Sequence, residues 1–338
     1  MDDDHPTLSL ALVIPVYQGE TTLGKLLEEI AALQASPFTA AGREIRLSEV
    51  VLVHDGAIDD SATVMEELAE RHPFVQNVWL SRNFGQHPAT VAGISATTAD
   101  WVVTMDEDGL HDPQSIPDML ERAIEEGADL VYGTPSGGVP HAWHRNMTSS
   151  MAKRVFRLLV GAEGRQPFTS YRLVDGVVGR SLAAYYGQGV YFDIALTWVV
   201  GRTAYQPVAF RRELRAEGER SGYNVRKLLS HFRRLVVTSG TRPLRAVAVM
   251  GLIATALGLT MAVVVLCLRI FGDIQAEGWA SVMIVISIFS GLILTALGVI
   301  AEYLSVAINM ASGRPPYLAV HRPPSSSTTR TTARSIDD

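Results

Sequence analysis

Short apolar runs alternate with helical patterns through the N-terminal part of the chain. The apolar runs lie at residues 8–16, 50–53, 75–80, 102–105 and 129–132, and each has the length of a buried strand. Between the first two runs, apolar residues recur at helical spacing (Leu23, Leu26, Leu27 and Ile30). Strands that alternate with helices in this way are typical of βαβ units. The pattern therefore predicts an α/β domain with a mostly parallel sheet.

Several predicted helices begin or end at recognisable residues. One starts after Thr21 or Thr22, either of which can cap it. Another covers residues 89–97 and is rich in small side chains, which lets a helix lie close to a sheet. A third covers residues 117–126 and ends at Gly127.

Polar side chains follow three of the predicted strands, at the point where each strand ends. Tyr17 and Glu20 follow the first strand, Asp55 follows the second, and Asp106 and Asp108 follow the fourth. The carboxyl ends of parallel strands share one edge of a sheet, and ligands bind there. Two carboxylates at this spacing can chelate one hard divalent cation, which in turn can hold a diphosphate. The sequence predicts a nucleotide-binding crevice, although an acidic turn without a ligand stays open for the two aspartates.

Other nucleotide and metal motifs are absent from the sequence. No G-x-G-x-x-G follows the first strand and no G-x-x-x-x-G-K-[ST] occurs, which excludes dinucleotide-binding and P-loop fingerprints. The spacing of His87, His141 and His144 fits no zinc template. The net charge of −6 argues against a nucleic-acid partner. The single cysteine, Cys267, and the lack of a signal-like N-terminal segment predict that the N-terminal part lies in a reducing cytosol.

The chain is apolar for a soluble protein, with 47% hydrophobic and 19% charged residues, and the excess lies between residues 246 and 303. Residues 246–268 and 279–301 carry no charge. As a helix each segment is roughly 35 Å long, enough to cross a hydrocarbon core of about 30 Å. Arginines flank the pair, and the loop between the segments is not basic. The positive-inside rule then predicts a two-helix transmembrane hairpin in the cytoplasmic membrane, multi-pass, with both termini cytosolic.

The remaining segments complete the predicted domain organisation. Residues 223–240 combine an apolar stripe with a basic face, which predicts an amphipathic helix at the membrane interface or an ordinary surface helix. Residues 133–150 are rich in Gly, Pro and Ser and form either a mobile lid or a passive loop, and residues 35–44 form a loop. The predicted units are a nucleotide-type domain (1–222), the interfacial helix (223–240), the membrane region (241–310) and a largely disordered cytosolic tail (311–338).

Seven motifs in order along the chain resemble those of family 2 glycosyltransferases of the GT-A fold, which is a Rossmann-like fold. Within that family the match is to polyprenyl-phosphate glycosyltransferases, such as bactoprenol glucosyltransferase and dolichol-phosphate mannose synthase. The motifs are I-P-V-Y-Q-G-E (14–20), V-H-D-G-A-I-D-D-S (53–61), R-N-F-G-Q (82–86), S-Y-R-L (170–173), R-E-L-R-A-E-G-E-R-S-G-Y (212–223), P-L-R (243–245), and E-Y with R-P-P-Y (302–303 and 314–317).

The resemblance implies inverting transfer of a sugar from a nucleotide diphosphate sugar to polyprenyl phosphate at the cytosolic membrane face, for a cell-envelope glycan. Mg²⁺ or Mn²⁺ would bind Asp106 and Asp108. The implied nucleotide-binding residues are Pro15, Tyr17, Glu20, Asp55, Arg82, Gln86 and Asp106, and the implied catalytic residues are Asp106, Asp108, Arg172, Arg212 and Arg215. An acceptor phosphate is already ionised, so the site needs guanidinium groups more than a strong base. The implied partners are the donor, the lipid acceptor and the bilayer, and a homo-oligomer stays open.

Most of these residues also have a purely structural interpretation. Asp55 can cap the turn that follows it, and Glu20 can begin the first helix. Arg172 can pair with Asp175, and the two arginines of residues 212–215 can pair with neighbouring glutamates.

Three positions depart from the family pattern. They are Leu110, where the family has a metal-coordinating Gln, His54, where it has an acid, and Pro135, where it has an Arg. The residues that could replace the Gln are Glu107, His111 and Asp112. The departures fit an altered donor specificity or lost activity. A non-catalytic membrane scaffold that binds nucleotide sugars is therefore the alternative hypothesis.

Overall fold

A computed structural model of the chain describes residues 7–136, 168–187, 190–211, a part of the positions between 247 and 267, and residues 278–321. Its strands are β1 (Leu8–Val16), β2 (Phe38–Ala40), β3 (Arg43–His54), β4 (Val75–Leu80), β5 (Trp101–Thr104), β6 (Leu130–Pro135), β7 (Arg172–Asp175), β8 (Thr203–Val208) and β9 (Ala319–Val320). Apart from helical residues between 247 and 267, its α-helices are α1 (Leu23–Gln34), α2 (Ser61–Arg71), α3 (Gln86–Ala96), α4 (Ile116–Glu126), α5 (Gly176–Tyr185), α6 (Phe192–Val199) and α7 (Trp279–Ala311).

The nine strands form one sheet in the order β8-β6-β7-β5-β1-β3-β4-β9, with β2 paired to β3. Strands β5, β1, β3 and β4 are mutually parallel, and β6 is parallel to β8. The predicted mostly parallel α/β sheet is confirmed. The antiparallel strand β7, which lies between β5 and β6, was not predicted because its apolar run is very short.

The sheet is covered by helices on both faces, as the continuous apolar strands require. Alternate residues of β1 point to opposite faces. Leu12 and Ile14 belong to a buried cluster with side chains of α1, α2 and α4, whereas Val13 belongs to a second cluster with α3, α5 and α6. At Gly93 in α3, an added Cβ would lie 2.3 Å from Cγ1 of Val13. The prediction that small residues bring this helix close to the sheet is confirmed.

The predicted loop at residues 35–44 is wrong, because part of it forms a hairpin between β2 and β3. The turn is made by Ala41 and Gly42, with φ of 47° and 77°. Two positive φ values in a two-residue turn match the twist of the strands. The usual Asn-Gly signal for such a turn is missing from the sequence, which hid the hairpin.

The helix ends agree in part with the sequence. Gly127 ends α4 in the left-handed conformation, with φ of 59°. Thr22 is the N-cap residue of α1, as predicted, but its side chain makes no capping hydrogen bond.

The strand order reverses between β1 and β5. From β1 the chain adds β3 and β4 on one side and then returns to add β5 on the other side of β1. The amide of Met105 continues the pairing and donates to the carbonyl of Val13 (3.1 Å). In open α/β sheets the crevice at such a reversal binds the ligand.

One helix among the described residues, α7, is long and apolar enough to cross a membrane, and none of its apolar stretch Ile288–Ser305 is buried. Helix α7 extends beyond the predicted end at residue 301. The first predicted span has helical backbone at residues 253–258, but the two-helix hairpin itself stays a prediction. The interfacial helix (223–240) and most of the lid (137–150) lie outside the described residues. Strand β9 lies within 311–338, where no regular structure was predicted.

Candidate active site

The turn after β5 brings Asp106 to the carboxyl end of the sheet, at the reversal of strand order. One carboxylate oxygen of Asp106 accepts a hydrogen bond from Nε2 of Gln86, and the other accepts one from Oγ of Ser170 (2.6 Å). The Asp106 side chain is 26% exposed. Three separate segments of the chain therefore meet at one partly solvated carboxylate, and both of its side-chain donors are neutral.

Asp108 lies two residues further on the same turn. Its Oδ1 accepts a hydrogen bond from the backbone N–H of Leu110 (3.0 Å), which fixes the turn locally. Within the described part of the chain, no group of three or more His, Cys, Asp or Glu side chains has the arrangement of a metal site. Two carboxylates are a suitable partial ligand set for Mg²⁺ or Mn²⁺, because hard cations take their other oxygens from phosphate or water. The residues present fit the implied cation.

The three residues considered as replacements for the missing Gln have other contacts. The Glu107 carboxylate accepts hydrogen bonds from the backbone N–H groups of Tyr17 and Gln18. Asp112 pairs with Arg211 and accepts from the backbone N–H of Gln114. His111 is 2% exposed, and burial lowers its pKa, so it is neutral at neutral pH. These contacts give each of the three a structural role and do not support replacement of the Gln.

His111 stabilises the turn after β5 through a backbone hydrogen bond and ring packing. Its Nδ1 accepts a hydrogen bond from the backbone N–H of Asp106 (3.0 Å). Its ring stacks on Tyr171, with centroids 4.8 Å apart, and meets the edge of Phe210 at 5.3 Å. The Tyr171 hydroxyl donates to the carbonyl of Asp112 (2.7 Å). The turn that carries the two aspartates therefore rests on a packed aromatic group.

The predicted nucleotide-binding residues of β1 lie beside this turn. Pro15 is in β1, opposite Val53 of β3, and Tyr17 follows the strand and is exposed. Glu20 does not begin α1. Instead its backbone N–H donates to Asp59 (3.1 Å) and its carboxylate accepts from the N–H of Asp60 (3.2 Å). Glu20 therefore ties the loop after β1 to the start of α2.

Asp55 holds the R-N-F-G loop and not merely its own turn. Its carboxylate accepts hydrogen bonds from the backbone N–H groups of Phe84 (2.7 Å) and Gly85 (2.8 Å). It is 3% exposed, and burial raises its pKa while these two bonds and Arg82 oppose the rise. The Arg82 guanidinium lies over the Phe84 ring, 4.2 Å from its centroid. Gln86 then begins α3, next to Asp106. The loop thus connects two strand ends of the crevice.

Arg172 lies at the start of β7, opposite Thr104 and Tyr132 in register. It is 3% exposed and pairs with Asp193. The alternative pairing with Asp175 is wrong, because the Asp175 carboxylate caps α5 by accepting from two backbone N–H groups. A buried ion pair is not an open phosphate ligand, so direct phosphate contact by Arg172 is not supported by this arrangement.

Arg211 was not singled out from the sequence, yet it joins three parts of the site. Its backbone N–H donates to the carbonyl of Leu110 (2.8 Å), and its guanidinium pairs with both Glu29 and Asp112. The other two predicted arginines, Arg212 and Arg215, follow Arg211 within four positions and lie outside the described residues.

Two relatives of known name match almost the whole chain, and a family model matches about half of it. The family model for glycosyl transferase family 2 matches residues 11–182. The chain is 30% identical over 320 residues to the undecaprenyl-phosphate 4-deoxy-4-formamido-L-arabinose transferase of Edwardsiella ictaluri (strain 93-146), covering 94% of this chain and 95% of that protein. A protein of the same name from Klebsiella pneumoniae (strain 342) is 29% identical over 317 residues, covering 92% and 93%.

Solved structures show the same fold at lower identity. The glucosyl-3-phosphoglycerate synthase of Mycobacterium tuberculosis, in complex with Mn²⁺ and UDP-glucose, has a TM-score of 0.50 and 18% identity, covering 70% of this chain and 79% of that chain. Its complex with Mn²⁺, UDP and phosphoglyceric acid has a TM-score of 0.50 at 17% identity, covering 69% and 79%. These likenesses show the GT-A-type fold alone.

Proposed function

Because this chain is a member of glycosyl transferase family 2, we propose that it transfers a sugar from a nucleotide diphosphate sugar to polyprenyl phosphate, with inversion, at the cytosolic face of the membrane. The observation that carries the proposal is the similarity to two undecaprenyl-phosphate sugar transferases over more than nine-tenths of the chain. That similarity includes the apolar C-terminal segments, which a soluble acceptor would not require.

The donor would bind in the crevice between β1 and β5. The loop after β1 and Asp55 lie on one side of the crevice, where the nucleoside part of a donor would bind, and Asp106 lies on the other. In this proposal Pro15, Tyr17, Glu20, Asp55, Arg82 and Gln86 line or shape the nucleotide subsite. Asp55 and Glu20 act through the loops that they hold, because their carboxylates accept backbone N–H groups.

The diphosphate end of the donor would lie at the turn after β5. Asp106 and Asp108 would hold a divalent cation there, and the bound cation would neutralise charge that develops on the departing nucleoside diphosphate. Gln86 and Ser170 orient the Asp106 carboxylate through their hydrogen bonds. His111 fixes the backbone of the same residue.

The acceptor needs positive charge rather than a strong base, because its phosphate is ionised at neutral pH. Arg172 is paired with Asp193, so the proposal assigns direct phosphate contact to Arg212 and Arg215. A planar guanidinium matches two phosphate oxygens at once. Arg172 then acts by holding the wall of the crevice next to Ser170.

The proposed membrane anchor is a hairpin of residues 246–268 and α7, preceded by an interfacial helix at 223–240. An added Cβ at Gly258 would lie 3.4 Å from Cζ of Phe289, so the two apolar segments are in contact. After α7 the chain returns to the catalytic domain, where the carbonyl of Leu318 accepts from the N–H of Ser81 (2.9 Å) and β9 pairs with β4. This pairing supports a topology in which the C-terminal end of α7 and the catalytic domain share one side of the bilayer.

The test uses the full chain purified in detergent, polyprenyl phosphate, Mn²⁺ or Mg²⁺, and a panel of labelled nucleotide sugars. We expect one donor to give a labelled glycolipid. Its formation should stop on chelation of the cation and in Asp108→Ala. Asp118→Ala, which removes an acidic side chain from the first turn of α4, is the matched control and should leave transfer unchanged.

Nucleotide binding without glycolipid from any donor would contradict the proposal and favour the non-catalytic scaffold. The departures at Leu110, His54 and Pro135 are the observations that make this alternative worth testing. Transfer that persists after chelation would contradict the cation part of the proposal alone.

A further inference from the structure

Glu107, the residue between the two aspartates, connects the two sides of the crevice. Its Oε2 accepts a hydrogen bond from the backbone N–H of Tyr17 (2.8 Å), and its Oε1 accepts one from the N–H of Gln18 (2.9 Å). Glu107 and the pair Tyr17 and Gln18 belong to two different loops, about ninety positions apart in the chain. Hydrogen bonds to an ionised acceptor are roughly twice as strong as those between neutral groups. One carboxylate thus holds two consecutive backbone groups of the loop after β1.

The loop is shaped for this close approach. At Gly19, an added Cβ would lie 3.1 Å from Oε2 of Glu107 and 2.6 Å from Cδ1 of Leu23, so a larger residue would force the loop or these two side chains to shift. The backbone N–H of Gly19 donates to Oγ of Ser61 (2.8 Å), on the side of α2. Glu107 and Ser61 therefore fix consecutive backbone N–H groups from two different elements.

Glu107 and Asp106 direct their carboxylates to different partners. Asp106 contacts Gln86 and Ser170, whereas Glu107 contacts the loop after β1. The turn therefore offers one carboxylate to the diphosphate side of the crevice and uses the next to hold the nucleoside side.

We propose that Glu107 is a positioning residue for the nucleotide donor. It holds the loop of Tyr17 and Gln18 at a fixed distance from Asp106 and Asp108, so that both ends of the nucleotide subsite are formed before the donor binds. This inference rests on the proposed function. A ligand that spans two preformed ends does not pay for ordering them when it binds.

The first test compares Glu107→Ala and Glu107→Gln with the wild-type chain. The probes are UDP, GDP, ADP and CDP in the presence of Mn²⁺, with affinities from calorimetry. For the nucleotide that binds the wild-type chain best, Glu107→Ala should weaken binding by about tenfold, since two hydrogen bonds are lost. Glu107→Gln keeps one acceptor oxygen, so its nucleotide affinity should lie between those of the wild-type chain and Glu107→Ala. In the transfer assay the KM for the donor should rise, while the KM for polyprenyl phosphate stays within about twofold of the wild-type value.

A matched control is available at the opposite end of the sheet. The Asp129 carboxylate also accepts two consecutive backbone N–H groups, from Gly201 (2.8 Å) and Arg202 (3.1 Å), in a loop remote from the crevice. Asp129→Ala should loosen its own loop and leave nucleotide binding unchanged. Hydrogen-exchange mass spectrometry should show faster exchange at residues 16–20 in Glu107→Ala but not in Asp129→Ala.

Each outcome separates the inference from the proposed function. Wild-type protein that binds none of the four nucleotides would contradict the proposed function. If the wild-type chain binds a nucleotide but Glu107→Ala binds it equally well, or exchange at residues 16–20 is unaltered, the positioning role is overturned. A loss of Mn²⁺ affinity without loosening of residues 16–20 would make Glu107 a metal ligand and also overturn it.

Discussion

The Arg172 guanidinium lies 3.2 Å from Oδ1 of Asp193, and both side chains are buried. The Tyr132 hydroxyl donates to the same carboxylate (3.0 Å), and Nε of Arg172 donates to the carbonyl of Thr169 (3.1 Å). The guanidinium also lies over the Phe192 ring, 5.1 Å from its centroid. The charge pair thus has further hydrogen bonds to a neutral hydroxyl and a backbone carbonyl, and such bonds reduce the penalty for burying charges.

Breaking this pair on one side should destabilise the fold strongly. In Asp193→Asn the Arg172 charge stays buried without a counter-charge, and the expected loss is about 3 kcal/mol in the free energy of unfolding. The double variant Arg172→Met with Asp193→Leu should recover most of that loss, because it buries no charge at all. Urea unfolding of the detergent-solubilised chain measures both values.

The same double variant distinguishes the structural role of Arg172 in the buried pair from a role as a phosphate ligand. If it folds and still transfers sugar, Arg172 is not needed as a phosphate ligand. A single variant as stable as the wild-type chain would contradict the buried pair itself.

The position of the site followed from the sequence, whereas many of its contacts did not. Asp55 and Asp106 each follow an apolar run, and parallel strands bring their carboxyl ends to one edge, so the crevice could be predicted. The partner of Arg172 could not, because Asp193 lies on a separate helix and nothing local links the two. The contacts of Ser170 and Arg211 could not be predicted for the same reason: they come from the segment before an antiparallel strand and from a chain return, which carry no periodic signal.

The close approach of α3 to the sheet predicts opposite effects for two glycine substitutions. At Gly93 a methyl group would meet Val13 and Val53, so Gly93→Ala should cost about 2 kcal/mol. Gly24 in α1 has no atom within 4 Å of an added Cβ, so Gly24→Ala should be neutral or stabilise by up to about 1 kcal/mol. Thermal unfolding of the two variants side by side checks the prediction, and similar losses at both sites would contradict it.

Arg211 and Arg122 differ in the number of carboxylates that they pair with and in how far apart those carboxylates lie in the chain. Arg211 pairs with Glu29 of α1 and with Asp112, whereas Arg122 pairs only with Glu126 one turn along α4 (2.9 Å). Arg211→Gln should therefore cost about 1 kcal/mol of stability, against no more than about 0.5 kcal/mol for Arg122→Gln, because the latter is an exposed helical pair.

Catalysis should distinguish the same two variants. Arg211 and its backbone support the turn that carries Asp106 and Asp108, so Arg211→Gln should also slow transfer, while Arg122→Gln should not. Arg211→Lys keeps the charge but loses the fork that reaches two carboxylates, so its activity should be intermediate. Equal rates in all three variants would show that the turn keeps its geometry without Arg211.

His54 should make the stability of the fold depend on pH. It lies at the end of β3 with its ring 5.0 Å from that of Trp79, and it is 6% exposed. Among the described residues, its buried Nδ1 has no hydrogen-bond partner. Burial lowers the pKa of His54, and the nearby Asp59 opposes this only in part. The unfolded chain therefore binds the proton more tightly than the folded chain, and protonation favours unfolding.

The contribution of neutral His54 should be complete above about pH 6.5, the ordinary value, and should be lost as the pH falls below it towards the folded pKa. In that window the free energy of unfolding should decrease as the pH decreases, with a slope of at most about 1.4 kcal/mol per pH unit for this one group. His54→Phe keeps a ring against Trp79 and removes the proton site. His111 titrates in the same sense and is present in both proteins, so the difference between the two urea-unfolding profiles isolates His54. Profiles that run parallel from pH 7.5 to 5.5 would show that His54 is equally easy to protonate in both states.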